Sequence, residues 1–580
     1  MKISEVERFV GLSKKAIRLY ESRGLLTVAR ISNGYREYSD EDIEALRQIK
    51  LLRLAGISIS DIKLFRHGIL PMEELLDKRK KEMDREYGEH SAQYDFCKTL
   101  LRQLDGGIVD CTYRLEETEE TVEPCGELSV GIDIGTTTID ATVIDHASKQ
   151  QIEGFSMSNT FDLPSKSGFC EQDANGIVKR VKELLDHIIG SYENIRSIGV
   201  TGQMHGILYT DKHGNAVSPL FTWKDKRADQ KNKNGKTYCE IIQSITGEEI
   251  STGYGFATHY YNQEHGLIPA DTSTFCSIMD YFVMKLTKKY EPLVHATNAA
   301  SFGFYDVLAA RFKTEKLEML FSDTVTVPSV TDEFAIAGEY KGIPVAVAIG
   351  DNQASFLGSV QELEDSALVN IGTGSQISML SNGEYFGSDL ELRPFFAGSY
   401  LLCGAALCGG SAYAMLERFF REYNMLSDGK NPPQYATMNR IAEEAYAKGV
   451  LPLAVDTAFC GTRSNPARRG SISAIDTEAF TPASLILGVI HGMCRELYDL
   501  YRETSMKKKR IVAAGGAVQK NTVLQRVIAD MFGSEPVITR RTDEAATGAA
   551  LFSAVATGVI SNIEAIAEYI TYKEKNNNEC

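Results

Sequence analysis

The chain has little of what marks membrane, secreted or zinc-binding proteins. It has no apolar run of the roughly 18 residues that a membrane-spanning helix needs. Its N-terminal MKISEVERFV lacks the apolar segment of a secretory signal. Its 11 cysteines are scattered without a Cys-x-x-Cys pair, so neither a disulfide framework nor a zinc site is expected. These absences predict a cytoplasmic protein whose thiols stay reduced.

Positive charge is also scarce, because 62 Lys and Arg stand against 78 Asp and Glu, for a net charge of −16. This balance excludes nucleic-acid binding over the whole surface. The first 66 residues are the exception, with 13 basic against 9 acidic side chains. The chain of 580 residues is long enough for about three or four domains. A basic end on an acidic protein indicates a local contact with nucleic acid.

The first 24 residues predict two short helices joined by a turn at Gly11, which is helix-turn-helix geometry. Ser13 is the expected N-cap of the second helix, which ends at Gly24. Basic side chains occupy the first turns of that helix, the part that enters a DNA groove. They are Lys14, Lys15 and Arg18.

A hairpin and another helix are predicted next. The dipeptide Asn33-Gly34 indicates the hairpin turn. Tyr35 and Arg36 follow its tip, as in a wing that contacts backbone phosphates. Asp40 is then expected to cap a helix that has one apolar face.

Residues 71–105 predict a long helix, and residues 106–127 predict a linker. Five side chains recur every seven positions along the helix, which indicates a coiled coil with an imperfect seam. They are Leu76, Met83, His90, Cys97 and Leu104. The linker is acidic and carries Pro124 and Gly126.

Residues 1–70 resemble the MerR family of transcription regulators, through LSKKAIRLYESRGLL, NGYREYS and IKLLRLAGISISDIK. The resemblance implies a winged helix-turn-helix that binds double-stranded DNA as a homodimer, paired through residues 71–105. It also implies that four side chains lie at the DNA. They are Arg18, Tyr20, Tyr35 and Arg36. A small helical docking module with solvated charges is the alternative.

Two distant segments share one pattern. In SVGIDIGTTTIDATVID (129–145) and SALVNIGTGSQISML (366–380), an apolar strand leads into a Gly-Thr turn and then a second strand. Such a turn lets backbone N–H groups and hydroxyls close around a phosphate. Strands and helices alternate from residue 128 onward, which predicts an α/β fold. Two such hairpins therefore predict a duplicated α/β fold that grips a nucleotide and transfers a phosphoryl group.

Two aspartates stand beside the ends of predicted strands. Asp133 precedes the first Gly-Thr turn, where a carboxylate can hold Mg²⁺ over phosphates, with hydroxyls from Thr136 and Thr137. Asp351 follows a strand that ends at Gly350, and a carboxylate there can act as the general base for a substrate hydroxyl. The alternatives are a turn-capping Asp133 and a helix-capping Asp351.

A sugar site is predicted from two further motifs. A loop bracketed by glycines follows a strand, at a sheet edge where α/β folds bind ligands. Its central residues are Gln203, Met204 and His205. Trp223, the only tryptophan, stands beside Asp225 and Arg227, and an indole face among polar groups suits a sugar. A buried tryptophan beside a surface salt bridge is the alternative.

From about Leu128 to Ile566 the chain resembles the FGGY family of carbohydrate kinases, which are actin-like ATPases. The motifs GIDIGTT, EQD, GQMHG, WKD, GDN, IGTGS, AAGGA and TGAAL occur in the family's order. The resemblance implies two ribonuclease-H-like domains, 128–360 for sugar and phosphate and 361–566 for the nucleotide, before a polar tail, 567–580. It also implies that ATP and Mg²⁺ bind, with Asp351 as the base and Asp133 at the metal.

The same resemblance assigns the remaining site residues by motif position. Sugar contacts would come from Gln203, Met204, His205, Trp223, Asp225 and Asn352. Besides the two threonines after Asp133, nucleotide contacts would come from Gly372, Thr373, Gly374, Gly409, Gly410, Gly515, Gly516 and Lys520. The AAGGA run does not match Gly-x-Gly-x-x-Gly, so a dinucleotide site is not expected.

Within the family, GQMHG is typical of ketose kinases such as xylulokinase, whereas GYGFATHYYN and GTRSNPARRGSI resemble sedoheptulokinases. We therefore expect an ATP-dependent ketose kinase acting on sedoheptulose, with a DNA-binding domain attached. Two alternatives are a xylulokinase-like kinase and a transcription regulator whose kinase half only senses sugar. A structural actin-like filament is disfavoured by the sugar motifs.

Overall fold

Two α/β lobes follow a small N-terminal module, as the sequence predicts. The computed structural model describes residues 1–30, 36–86, 126–321, 325–383, 390–396, 398–429, 431–462, 465, 467–504, 506–540 and 543–573. Within these ranges no helix is long and apolar enough to cross a membrane. Residues 87–125, which include most of the predicted coiled coil and linker, lie outside the described part of the chain.

The N-terminal module comprises residues 1–86. Its helices are α1 Ile3–Val6, α2 Lys14–Ser22, α3 Asp40–Leu54, α4 Ile59–Arg66 and α5 Met72–Glu86, with a π-helix at Glu7–Gly11. Strands β1 Ala29–Arg30 and β2 Arg36–Glu37 form the base of the wing. Ser13 caps α2 as predicted, since its Oγ accepts from the N–H of Ala16. Ser39, and not Asp40, caps α3, because its shorter side chain reaches the N–H of Asp42 while Asp40 is already helical.

Lobe 1, residues 126–358, is built on a six-stranded sheet with the order β15-β16-β7-β3-β4-β5. The strands of the lobe are β3 Leu128–Ile134, β4 Thr138–Asp145, β5 Gln150–Ser158, β6 Glu171–Gln172, β7 Ile195–Gly202, β8 Leu208–Thr210, β9 Leu220–Phe221, β10 Thr274–Cys276, β11 Leu293–His295, β12 Tyr305–Asp306, β13 Arg311–Phe312, β14 Ser329–Thr331, β15 Ile336–Tyr340 and β16 Ile343–Ala346. Its helices are α6 Ala174–Ser191, α7 Tyr238–Thr246, α8 Gly255–Glu264, α9 Ile278–Thr287, α10 Ala296–Ala299, α11 Thr314–Leu320 and α12 Asp351–Leu357.

Lobe 2, residues 366–573, has a second six-stranded sheet with the order β19-β20-β18-β17-β23-β24. Its strands are β17 Ser366–Ile371, β18 Ser375–Ser381, β19 Leu390–Pro394, β20 Tyr400–Ala406, β21 Ala454–Asp456, β22 Ser471–Ser473, β23 Arg510–Ala514 and β24 Val537–Ile538. Its helices are α13 Gly410–Asp428, α14 Tyr435–Ala447, α15 Pro482–Glu503, α16 Gly516–Lys520, α17 Thr522–Phe532 and α18 Glu544–Ala556.

The two sheets repeat one arrangement around the predicted hairpins. In lobe 1, β3 pairs antiparallel with β4 and parallel with β7. In lobe 2, β17 pairs antiparallel with β18 and parallel with β23. The duplicated α/β fold predicted from the two Gly-Thr segments is therefore present.

Helix α18 packs against the central strands of lobe 1, and glycine permits this approach. A Cβ at Gly131 of β3 would collide with the carbonyl of Ala546, and one at Gly199 of β7 with that of Ala549. Because α18 belongs to lobe 2, its contact with β3 and β7 brings the two sheets together around one crevice. The small residues of the TGAAL run thus serve close helix packing.

Candidate active site

The two predicted catalytic aspartates lie in one cavity between the lobes. Asp133 and Asp351 from lobe 1, with Asn370 and Gln376 from lobe 2, line a space of about 190 Å³. Asp133 stands opposite Asp140 in the β3–β4 ladder. Burial, and then the carboxylates of Asp140 and Asp351, raise the pKa of Asp133 well above its ordinary range. The cavity therefore carries an excess of negative charge that a cation would relieve.

That charge fits a hydrated Mg²⁺ better than a metal held by protein alone. The described residues contain no group of three or more His, Cys, Asp or Glu placed to hold a metal ion. Mg²⁺ commonly takes one or two carboxylates and completes its shell with water and substrate phosphates. Asp133 at the end of β3 supplies such a carboxylate.

Asp351 is the first residue of α12 and follows its cap, Gly350, so it is not the helix-capping residue of the alternative prediction. The strand before it, β16, ends at Ala346 and not at Gly350 as predicted, and the backbone N–H of Gly350 donates to Thr297 Oγ1 at 3.0 Å. Burial raises the pKa of Asp351 to about 6, and the Arg393 guanidinium opposes this rise. At neutral pH the carboxyl group is therefore mainly ionised and able to accept a proton.

Trp223 and Thr136 join the predicted sugar side to the first Gly-Thr turn. The indole of Trp223 is 48% exposed, and its Nε1–H donates to Thr136 Oγ1 at 2.9 Å. Thr136 Oγ1 donates in turn to Gln203 Oε1 at 3.3 Å. An exposed indole held in this way favours the sugar reading of Trp223 over that of a buried core residue. Thr137 is exposed at the same turn.

The loop after β7 carries Met204 and His205. His205 has a positive φ of 70°, a strained backbone for a residue with a side chain. Its Nδ1 donates to the carbonyl of Ser301 at 2.9 Å, and its ring packs against that of Tyr254 at a tilt of 39°, with centroids 4.3 Å apart. Met204 is buried, and a Cβ at Gly350 would lie 2.9 Å from its sulfur. The loop therefore places Met204 near the start of α12 and His205 against Ser301 and Tyr254.

Asp225 does not fit its predicted sugar contact. Its carboxylate is fully buried and binds the guanidinium of Arg227 through both oxygens, at 2.8 and 2.9 Å. It also accepts from the N–H groups of Cys170 and Arg227. A buried charge pair of this kind is satisfied internally, so Asp225 shapes the loop that carries Trp223.

The side chain of Asn352 bonds two residues of lobe 2. Its amide donates to Ser378 Oγ at 3.2 Å and accepts from Cys403 Sγ at 3.0 Å, both from lobe 2. The side chain is buried and ties the two lobes, and it lines the same cavity as Asp351. Its contact with the sugar stays a prediction.

Three glycine turns meet at the ends of β17, β20 and β23. The N–H of Gly410 donates to the carbonyl of Gly372 at 2.8 Å, and the N–H of Ser411 to that of Thr373 at 3.0 Å. Gly515 has a φ of 92°, and a Cβ there would lie 2.5 Å from the carbonyl of Ile371. The structure thus brings together the predicted nucleotide residues of these turns, which are Gly372, Thr373, Gly374, Gly409, Gly410, Gly515 and Gly516. Lys520 ends the short helix that follows.

The N-terminal module separates its predicted DNA contacts into three groups. Three basic residues are exposed at the start of α2, namely Lys14, Lys15 and Arg18. Arg36 lies at the wing and binds Glu21 at 2.6 Å. Tyr20 is 0% exposed within the apolar core, so its predicted DNA contact is corrected to a packing role. Tyr35 lies outside the described residues.

Three residues beside the crevice were not predicted as site residues from the sequence. Glu391 and Arg393 of β19 form an ion pair at 2.7 Å, and Tyr254 donates to Glu391 at 3.3 Å. The only sequence signal was that Glu391 and Arg393 have opposite charges and lie two positions apart in an apolar strand. That spacing places both side chains on one face of the sheet.

Comparison with known proteins agrees with this architecture. Residues 128–358 match the FGGY family of carbohydrate kinases, N-terminal domain, and residues 367–557 match its C-terminal domain. Residues 1–67 match the MerR HTH family regulatory protein. A sedoheptulokinase of Mus musculus is 25% identical over 471 residues, covering 73% of this chain and 96% of that protein. A xylulose kinase of Staphylococcus xylosus is 24% identical, covering 77% and 94%.

Solved structures show the same fold. A gluconate kinase from Lactobacillus acidophilus superposes with a TM-score of 0.66 at 19% identity, covering 77% of this chain and 93% of that chain. A glycerol kinase of Plasmodium falciparum with ADP superposes with a TM-score of 0.63 at 16% identity, covering 77% and 93%. The two family matches span both lobes, and the kinase relatives are matched over nearly their whole length. The chain therefore belongs to the FGGY family of carbohydrate kinases, ATP-dependent sugar kinases, and carries a MerR-type helix-turn-helix domain at its N-terminus.

Proposed function

We propose that the protein phosphorylates a ketose, with sedoheptulose as the first candidate, and that Asp351 is the catalytic base. The observation that carries the proposal is the shared cavity of Asp133 and Asp351 between the two lobes. Sedoheptulokinase and xylulose kinase relatives differ by only one percentage point of identity, 25% against 24%. We rank sedoheptulose before xylulose because residues 253–262 and 461–472 resemble segments of sedoheptulokinases.

The residues divide the work of phosphoryl transfer between the lobes. Asp351 accepts the proton of the sugar hydroxyl as that oxygen attacks the γ-phosphorus. Asp133 would hold Mg²⁺, which when bound screens the phosphate charge. The exposed Thr137 and the glycine turns of lobe 2 offer hydroxyl and N–H donors to the phosphates. Trp223 and His205 would orient the sugar so that its hydroxyl faces Asp351.

A phosphorylation assay over a ketose panel tests the proposal. We expect product with sedoheptulose, and less with xylulose, fructose, gluconate or glycerol. Asp351→Asn should lower kcat by about 10² to 10⁴ while sugar binding stays near normal. The exposed Asp271→Asn is the matched control and should keep the wild-type rate. A base assignment to Asp351 is wrong if its Asn variant turns over like the control.

A second function is a sugar-responsive transcription regulator, and the docking of the N-terminal module favours it. Glu153 of β5 is buried and accepts from Lys63 at 3.2 Å and from Ser60 at 3.2 Å, both on α4. Tyr192 of lobe 1 also donates to Glu153. One continuous apolar core runs from the module into lobe 1. The module is therefore packed onto the kinase and does not hang from a tether.

Lys78 connects the N-terminal module to β5, close to the proposed phosphate site. Its ammonium binds Asp61 at 2.7 Å and donates to the carbonyl of Ser156 at 2.8 Å. The Ser156 hydroxyl bonds the carboxylate of Asp140, which stands opposite Asp133. Ligands that favour one arrangement of the lobes would shift the module through these contacts, because differential binding moves the equilibrium between states.

DNA selected from a random duplex library by the full-length protein tests the regulator. We expect its affinity to change when sedoheptulose and ADP are added together. Lys78→Met should reduce that change, whereas Lys81→Met, an exposed lysine of the same helix, should preserve it. Constant DNA affinity throughout the titration would leave a kinase with an uncoupled DNA-binding domain.

We also propose a homodimer paired through residues 71–105 and a cytoplasmic location. Light scattering tests the homodimer, and cell fractionation tests the location.

A further inference from the structure

A buried arginine of lobe 2 stands at the sugar end of the crevice. Arg393 of β19 is 6% exposed, and its Nε and Nη2 donate to one oxygen of Glu391 at 3.0 and 2.7 Å. Arg393 belongs to none of the three glycine turns. A buried guanidinium needs such a partner, because leaving it unpaired is costly.

The other oxygen of Glu391 is used by lobe 1. Tyr254, which precedes α8, donates its hydroxyl to Glu391 Oε1 at 3.3 Å. The ring of Tyr254 packs against that of His205 at a tilt of 39°, with centroids 4.3 Å apart. Glu391 therefore binds an arginine of its own lobe with one oxygen and a tyrosine beside the proposed sugar site with the other.

Arg393 also lies close to Asp351. Gln353, two residues after Asp351, donates its amide to the carbonyl of Pro394 at 2.9 Å, which fixes the start of α12 against the end of β19. The positive charge of Arg393 lowers the pKa of Asp351, as expected of a near neighbour. One row of contacts thus runs from His205 through Tyr254 and Glu391 to Arg393, and the bond between Gln353 and Pro394 holds β19 beside the helix that begins with Asp351.

We propose that Tyr254, Glu391 and Arg393 form a latch across the crevice that positions His205 and Asp351 for the same sugar. The proposal rests on the proposed kinase function and deepens it. Its first half acts on binding, because Tyr254 supports the ring of His205. Its second half acts on the chemical step, because Arg393 is a positioning residue beside Asp351. Neither half is complete unless the lobes meet, since Tyr254 and Glu391 come from different lobes.

The two halves of the latch should separate in steady-state kinetics. Tyr254→Phe keeps the ring that packs against His205 and removes one hydrogen bond, so the KM for sugar should rise about 5- to 10-fold with little change in kcat. Arg393→Lys keeps the charge and loses the two-nitrogen contact with Glu391, so kcat should fall about 10- to 100-fold. The KM for ATP should stay within about 2-fold in both variants.

A double-mutant cycle tests whether the contacts act together. Tyr254→Phe removes the donor and Glu391→Leu removes the acceptor of the same cross-lobe hydrogen bond, so the double variant should have the sugar KM of Glu391→Leu alone. Arg440→Ala, which removes an exposed Arg440–Glu444 pair of lobe 2, is the control and should leave all constants unchanged. Independent, fully multiplying effects of the two substitutions would contradict a latch.

Trp223 fluorescence gives a readout that does not depend on turnover. The chain has one tryptophan, and it lies exposed at the crevice. Adding sedoheptulose without nucleotide should change its emission, and the half-saturating sugar concentration should rise about 5- to 10-fold in Tyr254→Phe. Equal melting temperatures of wild type and variant would assign the shift to the site and not to unfolding.

The outcomes distinguish the latch from the kinase proposal. The latch is wrong if the Tyr254, Glu391 and Arg393 variants keep wild-type constants and fluorescence midpoints while Asp351→Asn is inactive. The kinase proposal itself fails if Asp351→Asn is as active as wild type. A general loss of ATP binding together with sugar binding in the latch variants would also overturn the latch, because it would show a purely structural role.

Discussion

The Gly-Thr hairpins of the two lobes share a backbone plan and differ in the charge of one cross-strand pair. In lobe 1, Asp133 stands opposite Asp140, and in lobe 2 the equivalent ladder positions hold Asn370 and Gln376. Asp133, Asn370 and Gln376 line the same cavity. The carboxylate pair suits a cation, whereas amides can donate to phosphates without adding charge. We therefore propose that the duplicated element has a metal side in lobe 1 and a phosphate side in lobe 2.

Making lobe 1 resemble lobe 2 should have the largest effect. Asp133→Asn replaces the proposed Mg²⁺ carboxylate with an amide, and we expect kcat to fall by about 10² to 10³. Steady-state assays at several Mg²⁺ concentrations measure the change. A Mg²⁺ dependence that is identical to that of wild type would show that Asp133 does not hold the metal.

The pH dependence of kcat/KM should report the titration of Asp351, a carboxylate of lobe 1. Burial raises the pKa of Asp351 to about 6, so protonation removes the base as the pH falls through that value. We therefore expect kcat/KM to fall about 10-fold for each pH unit below about 6 and to level off above it. A profile that stays flat between pH 5 and about 8 would contradict Asp351 as the base.

Making lobe 2 resemble lobe 1 should have a smaller effect. Asn370→Asp adds a carboxylate to a cavity that already holds two, and it would repel the phosphates of ATP. We expect the KM for ATP to rise about 5- to 10-fold with the sugar KM unchanged. Raising Mg²⁺ should recover part of the loss, and an unchanged KM for ATP would place the phosphates away from Asn370.

The smallest effect should come from the turn glycines themselves. A Cβ at Gly135 would lie 2.8 Å from the carbonyl of Thr138, whereas the nearest atom at Gly372 is 3.9 Å away. We expect Gly135→Ala to lower the free energy of unfolding by about 1–2 kcal/mol and Gly372→Ala by less than about 0.5 kcal/mol. Thermal melts of the two variants provide the measurement, and equal losses would contradict the steric comparison.

Sequence patterns predicted residues that belong to local motifs and failed where long-range pairing decides. The Gly-Thr turns and Asp351 follow strands within a few positions, so their place at a sheet edge could be inferred. The role of Asp225 was corrected because Arg227 binds its carboxylate, and the pairing of Asn352 with Ser378 of lobe 2 was not predicted. Such partners can be far away in the chain, and no local spacing indicates them.

The sequence by itself determined the two families, the duplicated hairpins and the glycine turns, because these depend on local backbone geometry and small side chains. Only the tertiary structure decided that α18 draws the sheets together and that the N-terminal module packs on β5. It also decided that Glu391 meets Tyr254 across the crevice, 137 positions away in the chain. Burial and charge pairing act between residues that the folded chain brings together, and they are not properties of either residue alone.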